Sequence, residues 1–171
     1  KAIEIKPYYA EAHSNLGNIL RELGKLKEAE IFTRKAIEVK PDFADPHSNL
    51  GNILSDLGKS QDAEISIRKA IELNPNFAEA HLNLGIILKD IGKLKEAELS
   101  LRKAIELNPD YAIAHSDLGN ILIDRGKLEE AELSTRKAIE LDPKSAKCKL
   151  NLGINQFALG DINSSLETLE L

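Results

Sequence analysis

Apolar residues recur at helical spacing in two registers that alternate along the chain. From Ala10 to Leu23 they fall at Leu16, Ile19, Leu20 and Leu23, three and four apart, as one face of an amphipathic helix requires. The pattern resumes from Lys25 to Val39 with Leu26, Ala29, Ile31, Ala36 and Ile37. Between the two, Gly24 supplies the left-handed residue that ends one helix and opens a turn. After the second, Pro41 blocks continuation, because proline lacks an N–H and restricts the residue before it. The prediction is two helices joined by a turn.

That pair recurs. The phrase A-x-A-H begins at Ala10, Ala78 and Ala112, a close variant begins at Ala44 and a weaker one at Ala146, all 34 residues or a multiple of 34 apart. Glycines keep the same rhythm at Gly17, Gly51, Gly85, Gly119 and Gly153, and again at Gly24, Gly58, Gly92, Gly126 and Gly160. Prolines follow at Pro7, Pro41, Pro75, Pro109 and Pro143. The chain is therefore expected to be one array. Residues 1–9 are the end of a preceding repeat, 10–43, 44–77, 78–111 and 112–145 are four full repeats, and 146–171 is a truncated, divergent fifth. Gly17 and its equivalents sit inside the first helix, where glycine costs about 1 kcal/mol against alanine. Retaining it implies close helix approach, with Ala29 and Ala36 as the matching small positions. The Glu30–Arg34, Glu64–Arg68, Glu98–Arg102 and Glu132–Arg136 pairs stand four apart on second helices. Each contributes a few tenths of a kcal/mol, roughly, so that charge is read as a solvated face. In the last repeat Asn155, Gln156 and Ser165 replace apolar or small residues, as suits a terminal cap.

Composition supports thin, similar layers. Of the 171 residues 42% are hydrophobic but only 4% aromatic, with no Trp or Met. A net charge of −5 argues against nucleic acid as partner, since phosphate binding wants a basic surface. The lone Cys148 excludes an internal disulfide and a thiolate cluster, and is read as a small packing residue. No run of 18 apolar residues appears, so no membrane span is expected. The opening Lys1-Ala2-Ile3-Glu4 is neither a signal peptide nor an initiator Met, so sequence upstream is expected, as is a cytoplasmic location.

Leu16-Gly17, Gly24, Ala29, Ala36 and Pro41 at these offsets resemble the tetratricopeptide repeat, whose period is also 34, and the resemblance covers essentially the whole chain. It departs where the usual Trp is His13, His47, His81 and His115, and where the usual Tyr is Leu20, Leu54, Leu88 and Leu122. The resemblance implies an all-α, right-handed superhelical solenoid of antiparallel helix pairs with first helices lining the concave face. It also implies that the second, fifth, sixth, ninth, twelfth and thirteenth residues of each repeat face that groove.

The sixth position reads Asn15, Asn49, Asn83, Asp117 and Asn151, and the ninth reads Asn18, Asn52, Ile86, Asn120 and Ile154. Asparagine is a mediocre helix former, because its side chain competes for backbone hydrogen bonds. One explanation is that these amides, each both donor and acceptor, grip a peptide backbone. The other is that duplication copied them and they touch water or a neighbouring helix. The first arrangement is similar to the asparagine ladder in the tetratricopeptide region of O-linked N-acetylglucosamine transferases, which the S-N-L-G-N phrase at Ser14–Asn18 matches. The carboxylate clamp of chaperone-tail binders is not matched, since its positions carry Glu79, Ser14 and Asn83. Acidic residues prevail in the groove, with Glu11, Glu22, Asp45, Asp56, Glu79, Asp90, Asp117 and Asp124 against Arg21, Lys89 and Lys147. A polar or basic extended segment is the favoured ligand.

The histidine row does not suit a metal. Successive repeats lie about 10 Å apart, whereas ligands of one Zn²⁺ lie about 2 Å from it. Packing is the expected role. No phosphate-cradling loop, catalytic triad phrase or paired-carboxylate motif appears. The expectation is a non-catalytic module without cofactor, whose partner is a protein or peptide, possibly a second copy of itself. Two alternatives remain: the substrate-selecting arm of a larger glycosyltransferase-like enzyme, and a self-assembling scaffold.

Overall fold

The computed structural model describes residues 9–169, and all the regular structure among them is helical. The helices are α1 (Ala10–Glu22), α2 (Leu26–Val39), α3 (Ala44–Asp56), α4 (Ser60–Leu73), α5 (Ala78–Asp90), α6 (Leu94–Leu107), α7 (Ala112–Asp124), α8 (Leu128–Leu141), α9 (Ala146–Ala158) and α10 (Ile162–Leu169). The chain divides into two compact units, one ending at Ile91 and one beginning at Gly92.

In the first unit each helix packs on its successor, from α1 through α5. First helices also touch in series, α1 on α3 and α3 on α5, whereas α2 and α4 do not meet among the described residues. First helices therefore line the tighter side of the stack. The second unit repeats this within itself: α6 to α10 pack in succession, and α7 touches α9.

The predicted punctuation is realised. Gly24 has φ +73°, and Gly58, Gly92, Gly126 and Gly160 adopt the same left-handed conformation. Gly24 N donates to Arg21 O at 2.9 Å and Lys25 N to Leu20 O at 2.9 Å, the paired bonds that close a glycine-terminated helix. Helix bounds lie within one residue of those read from the periodicity.

Ala29, Ala36, Ile53, Ala63, Ile67 and Ala70 of the first unit are fully buried, as are Ala97, Leu101, Ala104, Ile121, Ala131 and Ala138 of the second. Gly17, Gly51 and Gly119, inside first helices, are contact glycines. A Cβ placed on Gly51 would lie 2.5 Å from Ile67 Cδ1 and 3.2 Å from Ala63 O. Thr33 and Thr135 cover Gly17 and Gly119 in the same way. Of the small partners expected, Ala29 and its equivalents Ala63 and Ala131 meet the glycine through their carbonyl oxygens, whereas Ala36 is not among its nearest neighbours. The residue four after the first of these alanines supplies the side chain that lies on the glycine.

The histidines pack as expected and also bond. His47, His81 and His115 each donate a ring Nε2–H at 2.9 Å to the carbonyl of the proline six residues earlier, Pro41, Pro75 and Pro109. Each thereby pins the start of a first helix to the turn before it. His13 stacks on Phe32 with ring centroids 6.0 Å apart.

One expectation needs correction. The four Glu–Arg pairs form, at 2.8, 2.9, 2.9 and 2.6 Å, but their glutamates are not a solvated row. Glu98 is buried and meets Lys127 at 3.0 Å and Arg125 as well as Arg102. Glu30 takes Lys59 of the next helix pair at 3.1 Å, and Arg34, then Lys59, hold its carboxyl below the usual carboxylate range against the opposing effect of burial. These acids bridge repeats.

The polar residues of the last repeat are buried and bonded. Asn155 Nδ2 donates to Leu128 O at 3.1 Å, Ser165 Oγ to Gly153 O at 2.9 Å and Thr168 Oγ1 to Gln156 Oε1 at 2.8 Å. Their exchange for Ile, Leu and Ala substitutes hydrogen bonds for apolar contact, within the last repeat for Gln156 and Ser165 and to the repeat before it for Asn155.

Candidate functional site

Because α1, α3 and α5 approach one another, groove positions that lie 34 residues apart in sequence come together in the first unit. A cavity of about 530 Å³ is lined by Glu11, Ser14, Asn15 and Asn18 of α1, Asp45 and Asn49 of α3 and Glu79 of α5. Phe43 and Phe77, from the turns before α3 and α5, complete its wall. A second cavity of about 240 Å³ lies along the same face, lined by Arg21, Asn52, Ser55, Asp56, Glu79, Asn83, Ile86 and Ile87.

The asparagines divide by position. Of the sixth-position residues, Asn49 turns its Nδ2 to Ser14 Oγ at 3.0 Å, and Asn151 turns its Nδ2 to Ser116 Oγ at 2.9 Å. Each bond ties a first helix to the first helix before it. Asn83 Nδ2 and Ser48 Oγ hold the same register, both buried and without a partner among the described residues. Asp117 is buried, and its Oδ1 accepts from Lys147 Nζ at 2.6 Å. Asn15 is exposed on the cavity wall. The ninth-position Asn18, Asn52 and Asn120 are half-buried, and their side chains make no hydrogen bond among the described residues.

The acids divide as well. Asp56 is paired with Arg21 at 2.6 Å. Glu11 accepts a hydrogen bond from the Tyr9 hydroxyl, and that carboxylate pushes the Tyr9 phenol above its ordinary value. Asp45 and Glu79 face the cavity with no ion pair among the described residues. Asp90 and Asp124 are exposed at the C-terminal ends of α5 and α7, outside both cavities. Cys148 is buried, and no group of three or more His, Cys, Asp or Glu among the described residues is placed to hold a metal ion. No described helix is long and apolar enough to cross a membrane.

Sequence reasoning missed two contributors. The Ser14 and Ser116 hydroxyls were legible as a row, since serine stands 35 residues before asparagine at Ser14, Ser48 and Ser116. Phe43 and Phe77 carry no such signal, because turn aromatics before a helix most often pack against it.

The profile described as Tetratricopeptide repeat matches residues 10–43, 44–77 and 78–111, and a second profile of the same description matches residues 100–132. No curated protein matches the chain. Among solved structures, YrrB, described as a tetratricopeptide repeat protein with an unusual peptide-binding site, is 27% identical with a TM-score of 0.78, over 99% of this chain and 88% of that one. MamA from Desulfovibrio magneticus RS-1 is 25% identical with a TM-score of 0.84, over 95% and 92%. PilW, a type IV pilus biogenesis factor, shares the fold at 24% identity with a TM-score of 0.89, over 98% and 78%.

Proposed function

The chain belongs to the tetratricopeptide repeat family, a protein-interaction module, and from that premise we propose that it holds an extended polar or basic polypeptide segment through helix-borne asparagines. The observation that carries the reading is the set of unbonded amides, Asn15, Asn18 and Asn52, on the cavity-lined face of α1, α3 and α5. Asparagine is a mediocre helix former because its side chain competes for backbone bonds, so its recurrence on an open face without a partner in the protein favours a role outside the fold. A peptide group offers the matching acceptor and donor whatever its side chain.

Spacing agrees. Packed helices lie about 10 Å apart, and three residues of extended chain span roughly that length. At about 1 kcal/mol net per hydrogen bond, a few such bonds less the ordering cost give affinity of roughly micromolar order. The unpaired Asp45 and Glu79 select against an acidic segment. YrrB, with its described peptide-binding site, supports the class of ligand.

Fluorescence anisotropy with labelled (Arg-Ser-Gly)4 and (Glu-Ser-Gly)4 tests the reading. The arginine peptide should bind with a roughly micromolar Kd and the glutamate peptide at least about tenfold more weakly. Part of the affinity should survive about 1 M salt, where screening length falls to about 3 Å, because neutral hydrogen bonds are not screened as ion pairs are. Equal binding of both peptides, or complete loss in salt, would overturn it.

A further inference from the structure

We infer that the two rows of asparagine do different work: Asn49 and Asn151 at the sixth position lock their own repeats to the ones before, while Asn18 and Asn52 at the ninth read the ligand main chain. The second half rests on the groove being the binding face.

The lock is the same bond formed once in each of the two units, Asn49 to Ser14 at 3.0 Å and Asn151 to Ser116 at 2.9 Å. Both hydroxyls are buried, so removing the amide strands a polar atom away from water. The sequence keeps the two residue types together. Asparagine follows serine by 35 residues at Ser14/Asn49 and Ser116/Asn151, which bond, and at Ser48/Asn83, which hold the register without bonding, and where that serine is Leu82 the later residue is Asp117. Asp117 turns instead to Lys147. A residue kept for a ligand would have no reason to change with the fifth position of the repeat before it.

An amide NH2 carries two hydrogens, so one bond to a neighbour does not exhaust it, but that bond fixes the plane in which the remaining N–H and the oxygen point. Asn49 and Asn151 are held in this way. Asn18 and Asn52 make no side-chain hydrogen bond among the described residues, are half-buried, and line the first and second cavity respectively. They are free to turn a donor and an acceptor together toward one peptide group.

Two readouts on the whole chain separate the roles. In thermal melting, Asn49→Ala and Ser14→Ala should each lower the midpoint by roughly 2–4 °C, and the double variant should fall no further than the larger single loss. Asn18→Ala/Asn52→Ala should melt at or above wild type, since alanine is the better helix former. In anisotropy titrations with (Arg-Ser-Gly)4, Asn18→Ala/Asn52→Ala should weaken binding about tenfold or more, and Asn49→Ala should stay within about twofold. Additive melting losses for Asn49 and Ser14 would overturn the lock. A tenfold loss in Asn49→Ala, with Asn18→Ala/Asn52→Ala unchanged, would reverse the assignment. Absence of peptide binding by wild type would overturn the parent reading and the reading role with it, while the melting cycle still decides the lock.

Discussion

Replacing Gly51 with alanine tests the packing that sets the groove. The added methyl carbon would sit 2.5 Å from Ile67 Cδ1 and 3.2 Å from Ala63 O, and both residues are fully buried, so neither can swing into solvent. Overpacking of this kind costs about 1–3 kcal/mol, against which alanine returns about 1 kcal/mol of helix propensity. The net expectation is a loss of about 1 kcal/mol, or roughly 2–4 °C in melting midpoint for a chain of this size. A double-mutant cycle makes the cause visible. Ile67→Ala alone should cost about 2–5 kcal/mol, because it leaves a cavity. In Gly51→Ala/Ile67→Ala the new methyl enters the emptied space, so the pair should be about 1–2 kcal/mol more stable than the sum of the singles. Gly58→Ala is the control: nothing lies within 4 Å of its added Cβ, but its φ of +74° strains any side chain. It should cost about 1–2 kcal/mol whether or not Ile67 is present. Melting followed by circular dichroism reads wild type and the five variants. Additivity of Gly51 and Ile67 within about 0.5 kcal/mol would refute the contact.

Other variants probe the bridges between repeats. Glu98→Ala should destabilise by about 3 kcal/mol, since it strips three cations of a buried partner, whereas the more exposed Glu132→Ala should cost less than about 1 kcal/mol; chemical unfolding compares them. Glu30, held below its ordinary value by Arg34 and Lys59, stabilises the fold fully above its unfolded-state value of about 4.3 and loses that contribution as pH falls below it. Glu30→Gln should therefore flatten the acid limb of a plot of melting midpoint against pH. His81→Leu should cost about 1 kcal/mol in urea unfolding, because the Pro75 carbonyl loses its donor.

Most of the fold was legible because each repeat states its own boundaries. Gly24 and Pro41 act through local backbone geometry, which the sequence carries directly, and five copies of the same punctuation leave little ambiguity. What stayed hidden depends on the neighbouring repeat. Glu98 reads locally as one half of an i,i+4 pair with Arg102, and nothing in that spacing shows that Arg125 and Lys127 close over it. The cover of Gly51 by Ile67 depends on which face of α4 turns inward, and small alanines at Ala63 and Ala70 already fit the same helical stripe. The asparagine rows were legible as rows. Their difference was not, because one hydrogen bond to Ser14 separates a residue committed within the protein from one still open to a ligand.

The binding of a segment along the first-helix face is tested most directly by following the side-chain amide resonances of asparagine while unlabelled (Arg-Ser-Gly)4 is added to the ¹⁵N-labelled protein. Saturating shifts should concentrate at Asn15, Asn18 and Asn52, with the same roughly micromolar Kd at each. Asn49 should shift less, and Asn74 and Asn108, which end second helices, should not move. Shifts confined to second-helix residues, or none at saturating peptide, would contradict the account.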